Sequence, residues 1–547
     1  MNTRKSTLCC ATLLLCLATP LAIEAQAPDN GDPPGRAARL SVVDGAVSFQ
    51  AAGDTVWGDA TLNYTVTSGD RLYTDKDARA ELEVGSLAIR LSDNTDLTVT
   101  NLTDHFVQLG LSAGTARLSV YELSSADTLE VDTPNGALMV IAPGDYRFDV
   151  SPDDSTTVVA VDRGRVSVGT ATDNGAPEEV TIGEAMEIQG SDPLRLTWIT
   201  KPAADAFDAW STARDSRVTE SASTRYVGRD IPGYEDLDDA GRWEVTAAYG
   251  PVWYPRGVAV DWVPYRYGRW RWVEPWGWTW VEDEPWGFAP FHYGRWVLVG
   301  SAWGWVPGPI VPRHYYGPAF VAFVDGGQVA VTVGGPVEGW FPLAPGEPFV
   351  PWYHYSDRYL NYVNVTNLRG HFDVSVVSRY SNLRFVNRRA ATVVSAEVFR
   401  GGEPIRGRVL PVNETVIERV PVAPHPRVLP TETAVFGIRR WAPPAMVARR
   451  PPMITRSAPP RVVVTRTPAT RVPPPARVET RSLPSRPIIT RRAPPAQNVP
   501  FSRRVPAMQQ HPGRPLEPQQ QENLRRGKAA GPPRDRERVP DPKAERH

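Results

Sequence analysis

Residues 267–296 have the sequence YGRWRWVEPWGWTWVEDEPWGFAPFHYGRW, in which seven of thirty residues are tryptophan. Gly-Arg-Trp occurs at 241–243, 268–270 and 294–296, so the period is 26 or 27 residues. An aromatic-Gly pair follows each copy after eight or nine residues. Units this small cannot bury their own apolar faces. We therefore expect the three units to pack together as one module.

The middle unit has the pattern of a β-hairpin. Trp270 and Trp272 share one face of a strand, Trp278 and Trp280 share the same face of the next, and Glu-Pro-Trp-Gly between them supplies turn residues. Pairing the strands about this turn places Trp270 opposite Trp280 and Trp272 opposite Trp278. Cross-strand aromatic pairs contribute about 0.5–1.5 kcal/mol each beyond burial.

The module has more tryptophan than we expect it to bury. Twelve of the 18 Trp residues lie between positions 243 and 305. Exposed aromatic surface usually marks a binding site, and flat rings stack well on sugar rings. We therefore predict that the surplus rings contact a cell-envelope glycan or, alternatively, an envelope protein. The candidate ligand-binding aromatics are Trp272, Trp276, Trp278, Trp286, Trp303 and Trp305.

Residues 36–190 have the alternation of short β-strands. Polar and apolar residues alternate in stretches such as ARAELEVG (78–85) and GRVSVG (164–169), separated by turn residues. This pattern predicts a β-roll or sandwich. A Gly-x-Ser-x-Gly sequence at 110–114 lies between strand-like flanks, where we expect a glycine-rich hairpin turn and not a hydrolase nucleophile elbow.

The same segment resembles a known family. SGDRLYTDKDARAELEVG (68–85), VDTP (131–134) and GRVSV (164–168) are similar to a FecR domain, and the resemblance extends over residues 36–190. It implies a β domain located outside the inner membrane. FecR proteins signal inward through a membrane helix, but no later apolar run here is long enough to span a membrane. The resemblance therefore implies fold and compartment, and signalling stays an alternative.

The tryptophan-rich part resembles a second family. The stretch from GYEDLD (233–238) through GPVWYPR (250–256) to GWFPLAPGEPFVPWYHYS (339–356) is similar to an uncharacterised Trp/Gly/Pro-rich domain found after FecR-like domains in Gram-negative envelope proteins. This resemblance implies no activity. Because the sequence stays β-like afterwards, we place this β-hairpin repeat domain at residues 233–438.

A short linker helix is predicted between the two domains, at residues 202–224. Its sequence is rich in helix formers, and Phe207 and Trp210 share one helical face. We expect these two rings to dock on a neighbouring domain.

The N-terminus predicts export. Residues 1–25 have a basic start, an apolar run at 8–21 and small residues, as in a signal peptide. Cys9, Cys10 and Cys16 all lie in this segment, so the exported chain would have no disulfide and no thiolate metal site. We predict a periplasmic, outer-membrane-associated or extracellular protein with no transmembrane helix after signal cleavage.

The C-terminal segment, residues 439–547, differs in charge from the rest of the chain. It has 24 Lys+Arg against 7 Asp+Glu, a balance of +17, and 23 prolines; the chain's net charge of −1 leaves −18 elsewhere. Such a composition predicts a disordered tail, and we expect the remaining body to stay folded when it is deleted. The tail could bind an anionic polymer, whereas nucleic acid is not expected for an exported protein.

Catalysis has weak support in the sequence. The eight histidines have no metal-ligand spacing, and we predict no cofactor. Glu274, Glu282, Asp283 and Glu284 lie among the tryptophans, where a carboxylate pair could hydrolyse glycans, but they flank turns where solvated charge is expected. We predict a mainly β, exported, non-enzymatic envelope binding or scaffold protein. The alternatives are an extracytoplasmic regulator or sensor related to FecR signalling, and a glycan-active hydrolase.

Overall fold

The structure is a computed structural model that describes residues 31–153, 155–169, 177–368, 379–423, 425–438, 450–456, 460, 462–469 and 486–532. The predicted signal peptide and part of the predicted tail lie outside these residues. The chain is mainly β, as the sequence predicted. No helix within the described ranges is both long enough and apolar enough to cross a membrane.

The first domain consists of β-strands, as the alternation of polar and apolar residues in its sequence predicted. Its strands are β1 (Ala38–Asp44), β2 (Val47–Gln50), β3 (Trp57–Asp59), β4 (Thr65–Val66), β5 (Arg71–Thr74), β6 (Arg79–Val84), β7 (Leu87–Leu91), β8 (Thr95–Leu102), β9 (Phe106–Val120), β10 (Thr128–Asp132), β11 (Ala137–Val140), β12 (Gly144–Ser151), β13 (Thr156–Arg163), β14 (Arg165–Val168), β15 (Glu178–Thr181), β16 (Ala185–Gln189) and β17 (Leu194–Ile199).

Two sheets share the long strand β9. Its first half pairs with β8 and β10 in the sheet β3-β2-β5-β8-β9-β10-β11-β14-β15. Its second half pairs with β7 and β12 in the sheet β4-β1-β6-β7-β9-β12-β13-β16-β17. Apolar side chains between the sheets, such as Leu109 and Leu118, are fully buried. The result is the predicted sandwich-like β unit.

The Gly-x-Ser-x-Gly sequence lies where β9 passes from one sheet to the other. Gly114 has φ of +88°, and a Cβ atom there would lie 2.4 Å from Thr95 Oγ1. Ser112 donates a hydrogen bond to Asp96 in the neighbouring strand. The predicted hairpin turn is wrong, because β9 continues through this sequence. Its core-facing residues change from odd positions (Leu109, Leu111) to even positions (Ala116, Leu118) as the strand passes from one sheet to the other.

The second domain consists of short hairpins and helices. Its strands are β18 (Gly241–Thr246), β19 (Gly250–Pro255), β20 (Gly268–Val273), β21 (Gly277–Glu282), β22 (Arg295–Val299), β23 (Ala302–Val306), β24 (Val321–Val324), β25 (Val337–Pro342), β26 (Thr392–Ser395) and β27 (Val422–Ala423). The helices from the linker onward are α1 (Ala206–Glu220), α2 (Asp236–Ala240), α3 (Ala289–His292), α4 (Gly326–Val333), α5 (Asp357–Asn364), α6 (Ala396–Arg400), α7 (Glu414–Arg419) and α8 (Glu432–Phe436).

Each predicted repeat is a hairpin, but the three do not stack in sequence order. The first and third join in the sheet β18-β19-β23-β22 through the pairing of Trp253 with Trp305. The middle hairpin, β20–β21, is a separate two-stranded sheet. A further sheet, β26-β25-β24-β27, follows the repeats and packs against them.

Much of the described tail is in contact with the body. It contains β28 (Met453–Thr455), β29 (Val462–Ala469), β30 (Ile488–Thr490), α9 (Phe501–Met508) and α10 (Pro518–Arg525). Strand β29 pairs in parallel with β17, and β30 pairs with β28 and bridges to Thr133. The described residues of the tail form no separate domain, in agreement with the predicted lack of an independent fold, and the segments named above lie on the body.

Candidate functional site

The middle hairpin confirms the predicted tryptophan pairing. Trp270 lies opposite Trp280 and Trp272 opposite Trp278. In each pair the ring centroids are 5.5 Å apart and the rings are near perpendicular, at 74° and 86°. Edge-to-face contact is a favoured arrangement, because the positive edge of one ring meets the negative face of the other.

The Gly-Arg-Trp repeat has a steric explanation. In every unit its glycine lies beneath the indole of a tryptophan on the partner strand. A Cβ atom on these glycines would lie 2.2, 2.7 and 2.6 Å from an indole atom, closer than van der Waals contact allows. The contacts join Gly241 with Trp253, Gly268 with Trp280, and Gly294 with Trp305. Glycine is therefore required at each position so that the indole can lie flat on the backbone.

The six candidate tryptophans are buried, so the prediction that they form an exposed aromatic surface is wrong. Trp272, Trp276, Trp278, Trp286, Trp303 and Trp305 all have exposed fractions between 0 and 8%. Rings buried to this extent present no face on which a sugar ring could stack.

The reason is that later segments of the chain cover the hairpins. Trp270 contacts Phe323 of β24, Trp340 of β25 and Phe399 of α6. On the turn side, a Cβ atom on Gly277 would lie 3.0 Å from Pro515 of the tail. The prediction considered the repeats as an isolated module. Their core is completed by residues of distant segments, such as Pro515, which lies 238 positions after Gly277.

Several buried indole N–H groups have hydrogen-bond partners. Trp272 Nε1 donates to Glu274 Oε1 at 2.9 Å, and Trp280 Nε1 donates to Glu282 Oε2 at 2.8 Å. Trp305 Nε1 donates to the carbonyl oxygen of Tyr293 at 2.8 Å. Two of the carboxylates considered for catalysis therefore accept from tryptophans of the core.

These carboxylates are neither solvated nor placed as a hydrolytic pair. Glu282 is 1% exposed, and burial raises the pKa of its carboxyl well above the ordinary value. Glu274 pairs with Arg504 of the tail. Glu274 lies in the turn of the middle hairpin and Glu282 at the far end of β21. This strand is ~17 Å long, whereas glycosidase carboxyls are about 5–10 Å apart. The expectation of solvated charge is wrong for both residues.

A buried arginine joins the two domains. Arg39 of β1, 1% exposed, contacts Glu83 at 3.2 Å and Asp236 of α2 at 2.7 Å. Its Nη2 also donates to the carbonyl oxygen of Pro285 at 2.6 Å. Beside it, Asn63 Nδ2 donates to the carbonyl oxygen of Glu282 at 3.1 Å. The loop after the middle hairpin is thus fixed to the edge of the first domain.

The linker helix lies on a row of arginines. Arg90, Arg117 and Arg147 are direct cross-strand partners on β7, β9 and β12. Like charges directly opposite each other destabilise a sheet, so this row requires nearby anions. The helix supplies them: Arg90 pairs with Asp215 at 2.7 Å, Arg117 with Asp208 at 2.6 Å, and Arg147 with Asp205 and Asp208 at 2.7 Å.

The linker was predicted as a helix with two docking rings, and this is confirmed in part. Phe207 is 5% exposed and stacks on Trp210 at 5.8 Å. Sequence reasoning missed the ion pairs. Their signal was present in the acidic residues of the helix and in the arginines at alternating strand positions, but the register that aligns them could not be deduced from one sequence.

An open groove of about 670 Å³ lies at the end of β16 and β17. Trp198, a half-buried indole, is part of it, and Ile182 beside it is 65% exposed. Its other walls combine charged and polar residues with Ala185 and Ile199. The lining residues are Glu178, Gly183, Glu184, Ala185, Trp198, Ile199, Thr200 and Lys201.

The tail segment 486–532, here called the C-terminal strap, crosses both domains. Phe501 packs on Phe436 of α8 at 6.0 Å, and its backbone N–H donates to Asp54 at 3.1 Å. Arg504, 2% exposed, lies between Asp54 and Glu274. Removing the strap would take Arg504 away from both carboxylates. That the body stays folded when the tail is deleted stays a prediction.

Within the described residues, no group of three or more His, Cys, Asp or Glu is placed to hold a metal ion. The predicted binding of an anionic polymer by the tail stays a prediction. The arginines of the strap that the structure describes include several engaged internally, such as Arg492, which lies 4.8 Å over the ring of Phe106.

Comparison with known proteins gives the following similarities. No curated protein matches the sequence. Two crystal structures of "a putative anti-sigma factor from Parabacteroides distasonis ATCC 8503", at 2.50 and 1.65 Å, are 14% and 13% identical to this chain, each with a TM-score of 0.19. Each match covers 22% of this chain and 54% of the other, so it spans about half the length of that protein.

Family models match both domains. Residues 70–167 match the model described as "FecR protein", and residues 234–347 match the "Family of unknown function (DUF6600)". Both matches lie within the two β domains described above, and both resemblances seen in the sequence are confirmed. The chain therefore contains a FecR domain followed by a domain of a family of unknown function.

Proposed function

We propose that this protein is an exported, non-catalytic envelope protein that acts as a FecR-type regulator or sensor by binding a protein partner. The FecR domain supports the regulatory part of the proposal. The burial of the six candidate tryptophans favours a protein over a glycan as the ligand, because these six rings offer no face for stacking on a sugar.

The observation that carries the proposal is the groove on the FecR-like domain. It is an open groove of about 670 Å³, which suits a segment lying across the surface and not an enclosed small molecule. It combines the indole of Trp198 with charged residues of both signs, Glu184 and Lys201. A half-buried aromatic beside charged groups suits an amphipathic protein segment, which can bury an apolar side chain and pair its charges.

The groove is connected to the linker helix through ion pairs. Lys201 of the groove pairs with Asp162, which is 2.6 Å from Arg117. Arg117 in turn pairs with Asp208 of α1. Because α1 leads directly into the second domain, a partner that draws Lys201 away from Asp162 would alter the charge balance that holds the helix.

The proposal can be tested by photo-crosslinking in living cells. A benzoylphenylalanine residue at Ile182 should crosslink one envelope protein, and Trp198→Ala in the same chain should abolish the crosslink without lowering the amount of folded protein. The control position is Val260, which is also exposed but lies in the second domain.

A regulator also requires a transcriptional effect. Deleting the gene should change the expression of a limited set of genes, and Trp198→Ala should change the same set in the same direction. If Trp198→Ala behaves as wild type in both assays while the purified full chain is retained on peptidoglycan, the regulator proposal fails and a glycan-binding scaffold replaces it.

A further inference from the structure

Two acidic residues are buried side by side on the outer face of the FecR domain. Glu130 and Asp132 are two positions apart on β10 and therefore lie on one face of the sheet. The parallel strand β9 sets Gln108 opposite Glu130 and Gly110 opposite Asp132. Because Leu109 of β9 points into the core, this face points away from the core. Glu130, Asp132 and Gln108 are nevertheless 0% exposed.

The C-terminal strap covers these residues and contributes backbone groups to the cluster. The backbone N–H of Arg491 donates to Glu130 Oε1 at 3.1 Å. Gln108 Nε2 donates to the carbonyl oxygen of Arg492, also at 3.1 Å. The side chains of both arginines are exposed, and that of Arg492 lies over Phe106. The strap therefore brings peptide groups to the cluster and keeps its charges outside.

Hydrogen-bond acceptors outnumber donors in this cluster. Gln108 Nε2 has two hydrogens, but it lies 3.2 Å from Glu130 Oε1, 2.9 Å from Asp132 Oδ2 and 3.1 Å from the Arg492 carbonyl oxygen. Three further buried oxygens have no hydrogen-bond partner among the described residues: Glu130 Oε2, Asp132 Oδ1 and Gln108 Oε1. Buried polar groups are normally paired, so the cluster needs either a proton or a cation.

A further unpartnered oxygen borders the acidic pair. Thr100 of β8 is 3% exposed, and its Oγ1 has no hydrogen-bond partner among the residues that the structure describes. A Cβ atom on Gly110 would lie 3.1 Å from this oxygen, so Thr100 lies on the same face as Asp132. The same Cβ position is 3.2 Å from Ile488 Cδ1 of β30 and Met453 Cε of β28, which cover this face.

Positive side chains do not compensate the pair. Elsewhere in this domain Glu81 and Asp96 each lie 2.5 Å from an arginine. By contrast, neither Glu130 nor Asp132 forms an ion pair within the described ranges. Burial and repulsion from Glu130 raise the pKa of Asp132 well above its ordinary value. Two buried carboxylates repel each other unless they share a proton or bind a cation.

We propose that the carboxyls of Glu130 and Asp132, the amide oxygen of Gln108 and the carbonyl oxygen of Arg492 bind one Ca²⁺ ion, which fastens the C-terminal strap to the FecR domain. A glutamine amide exchanges its oxygen and nitrogen by rotating about 180°. Gln108 then presents its oxygen where Nε2 contacts the three acceptors. This goes beyond the proposed function, since it concerns another part of the domain and an ion instead of a protein.

The ligand groups favour Ca²⁺ over other metal ions. All of them offer oxygen, which Ca²⁺ and Mg²⁺ prefer, whereas zinc sites use cysteine or histidine. Mg²⁺ requires regular octahedral geometry and usually keeps several waters, while Ca²⁺ accepts an irregular set of protein oxygens. The full burial of both carboxyls suits an ion bound by protein oxygens. Its two charges replace the positive side chain that the pair lacks.

Calorimetry tests binding on the full chain without its predicted signal peptide, after a chelator has removed divalent ions. Wild type should bind about one Ca²⁺ per chain with a Kd below about 1 mM, and Mg²⁺ about tenfold more weakly. Asp132→Asn keeps the side-chain shape, removes the charge and should weaken Ca²⁺ binding about tenfold or more. The control Glu179→Gln, at a side chain that is 41% exposed on β15, should bind as wild type does.

Wild type that binds no Ca²⁺ at about 1 mM would overturn the proposal and leave a proton shared by the two acids. Asp132→Asn that binds as tightly as wild type would place the ion elsewhere, and equal affinity for Mg²⁺ would refute the choice of Ca²⁺.

Thermal melting separates loss of the site from loss of folding. With chelator present, Asp132→Asn and Glu130→Gln should melt no lower than wild type, because each removes a buried negative charge. Saturating Ca²⁺ should raise the melting temperature of wild type and of neither variant. Variants that gain as much as wild type would contradict the proposal.

Hydrogen exchange tests the contribution of the strap. Peptides that contain residues 488–492 include the Arg491 N–H that donates to Glu130. Ca²⁺ should slow their exchange about tenfold or more in wild type and leave it unchanged in Asp132→Asn. Peptides of α1 are the internal control and should not change. Exchange at 488–492 that is the same with and without Ca²⁺ would refute the role of the Arg492 carbonyl.

Discussion

The FecR-like sheet and the tryptophan core each bury a glutamate, and the two behave in opposite ways. Glu81 and Glu282 are both 1% exposed. At Glu81, burial would raise the pKa, but Arg90 and Arg214, each 2.5 Å away, outweigh it and lower the pKa to about 2. At Glu282, burial dominates and the neighbouring Asp283 adds to it, so the pKa is well above its ordinary value.

The difference shows that the same depth of burial supports two kinds of packing. On the outer face of the FecR-like sheet, α1 is held mainly by ion pairs with a row of arginines, supplemented by the Phe207 and Trp210 rings. In the second domain, indoles pack edge to face and carboxyl groups serve as hydrogen-bond acceptors for indole N–H. The first interface should therefore be sensitive to loss of charge, and the second to loss of volume.

The largest effect is expected from removing an indole of the core. Trp270→Ala should lower the free energy of unfolding by about 3–5 kcal/mol, because the cavity it leaves cannot be refilled by the rigid rings around it. Urea denaturation followed by circular dichroism measures this loss. The matched control is Trp198→Ala at a half-buried ring, which should cost less than half as much; equal losses would contradict the view of Trp270 as a core residue.

The next effect is expected at the arginine row. Arg90→Met keeps most of the side-chain volume but leaves Glu81 and Asp215 short of a cation, and should lower the free energy of unfolding by about 3 kcal/mol. Arg163→Met, on the same sheet but with its side chain 65% exposed, is the control and should leave stability within about 0.5 kcal/mol of wild type. If both variants melt alike, the row does not hold α1 by charge.

The smallest effect is a pair of pH dependences of opposite sign. The lowered pKa of Glu81 contributes stability above its ordinary value of 4.5 that is lost as the pH falls towards 2, so the cost of Glu81→Gln should shrink below pH 4.5. Because the pKa of Glu282 is raised, the wild-type protein loses stability as the pH rises above 4.5. The free energy of unfolding of Glu282→Gln relative to wild type should therefore increase between pH 5 and 8. Unfolding free energies of the three proteins, measured from about pH 2 to about pH 8, test both signs; slopes of the same sign would refute the comparison.

Local patterns in the sequence predicted the elements of the fold well. Alternation and turn residues predicted the β domain, and the parity of Trp270, Trp272, Trp278 and Trp280 predicted the hairpin and its register. The segments that cover these strands could not be predicted. Alternation shows which face of a strand is buried, but it does not show which part of the chain packs on that face. Arg504 and Glu274 are 230 residues apart, and no local pattern connects them. The predicted ligand surface failed for this reason.

The order in which the three Gly-Arg-Trp hairpins pair has a consequence for how such a domain can evolve. In open solenoids each unit contacts only the next, so units can be added or lost at little cost. Here the first hairpin pairs with the third around the second, which closes the array. Duplicating or deleting a hairpin would disrupt the pairing of the first hairpin with the third. We therefore expect the number of hairpins to stay at three, although all three share the same glycine–indole contact.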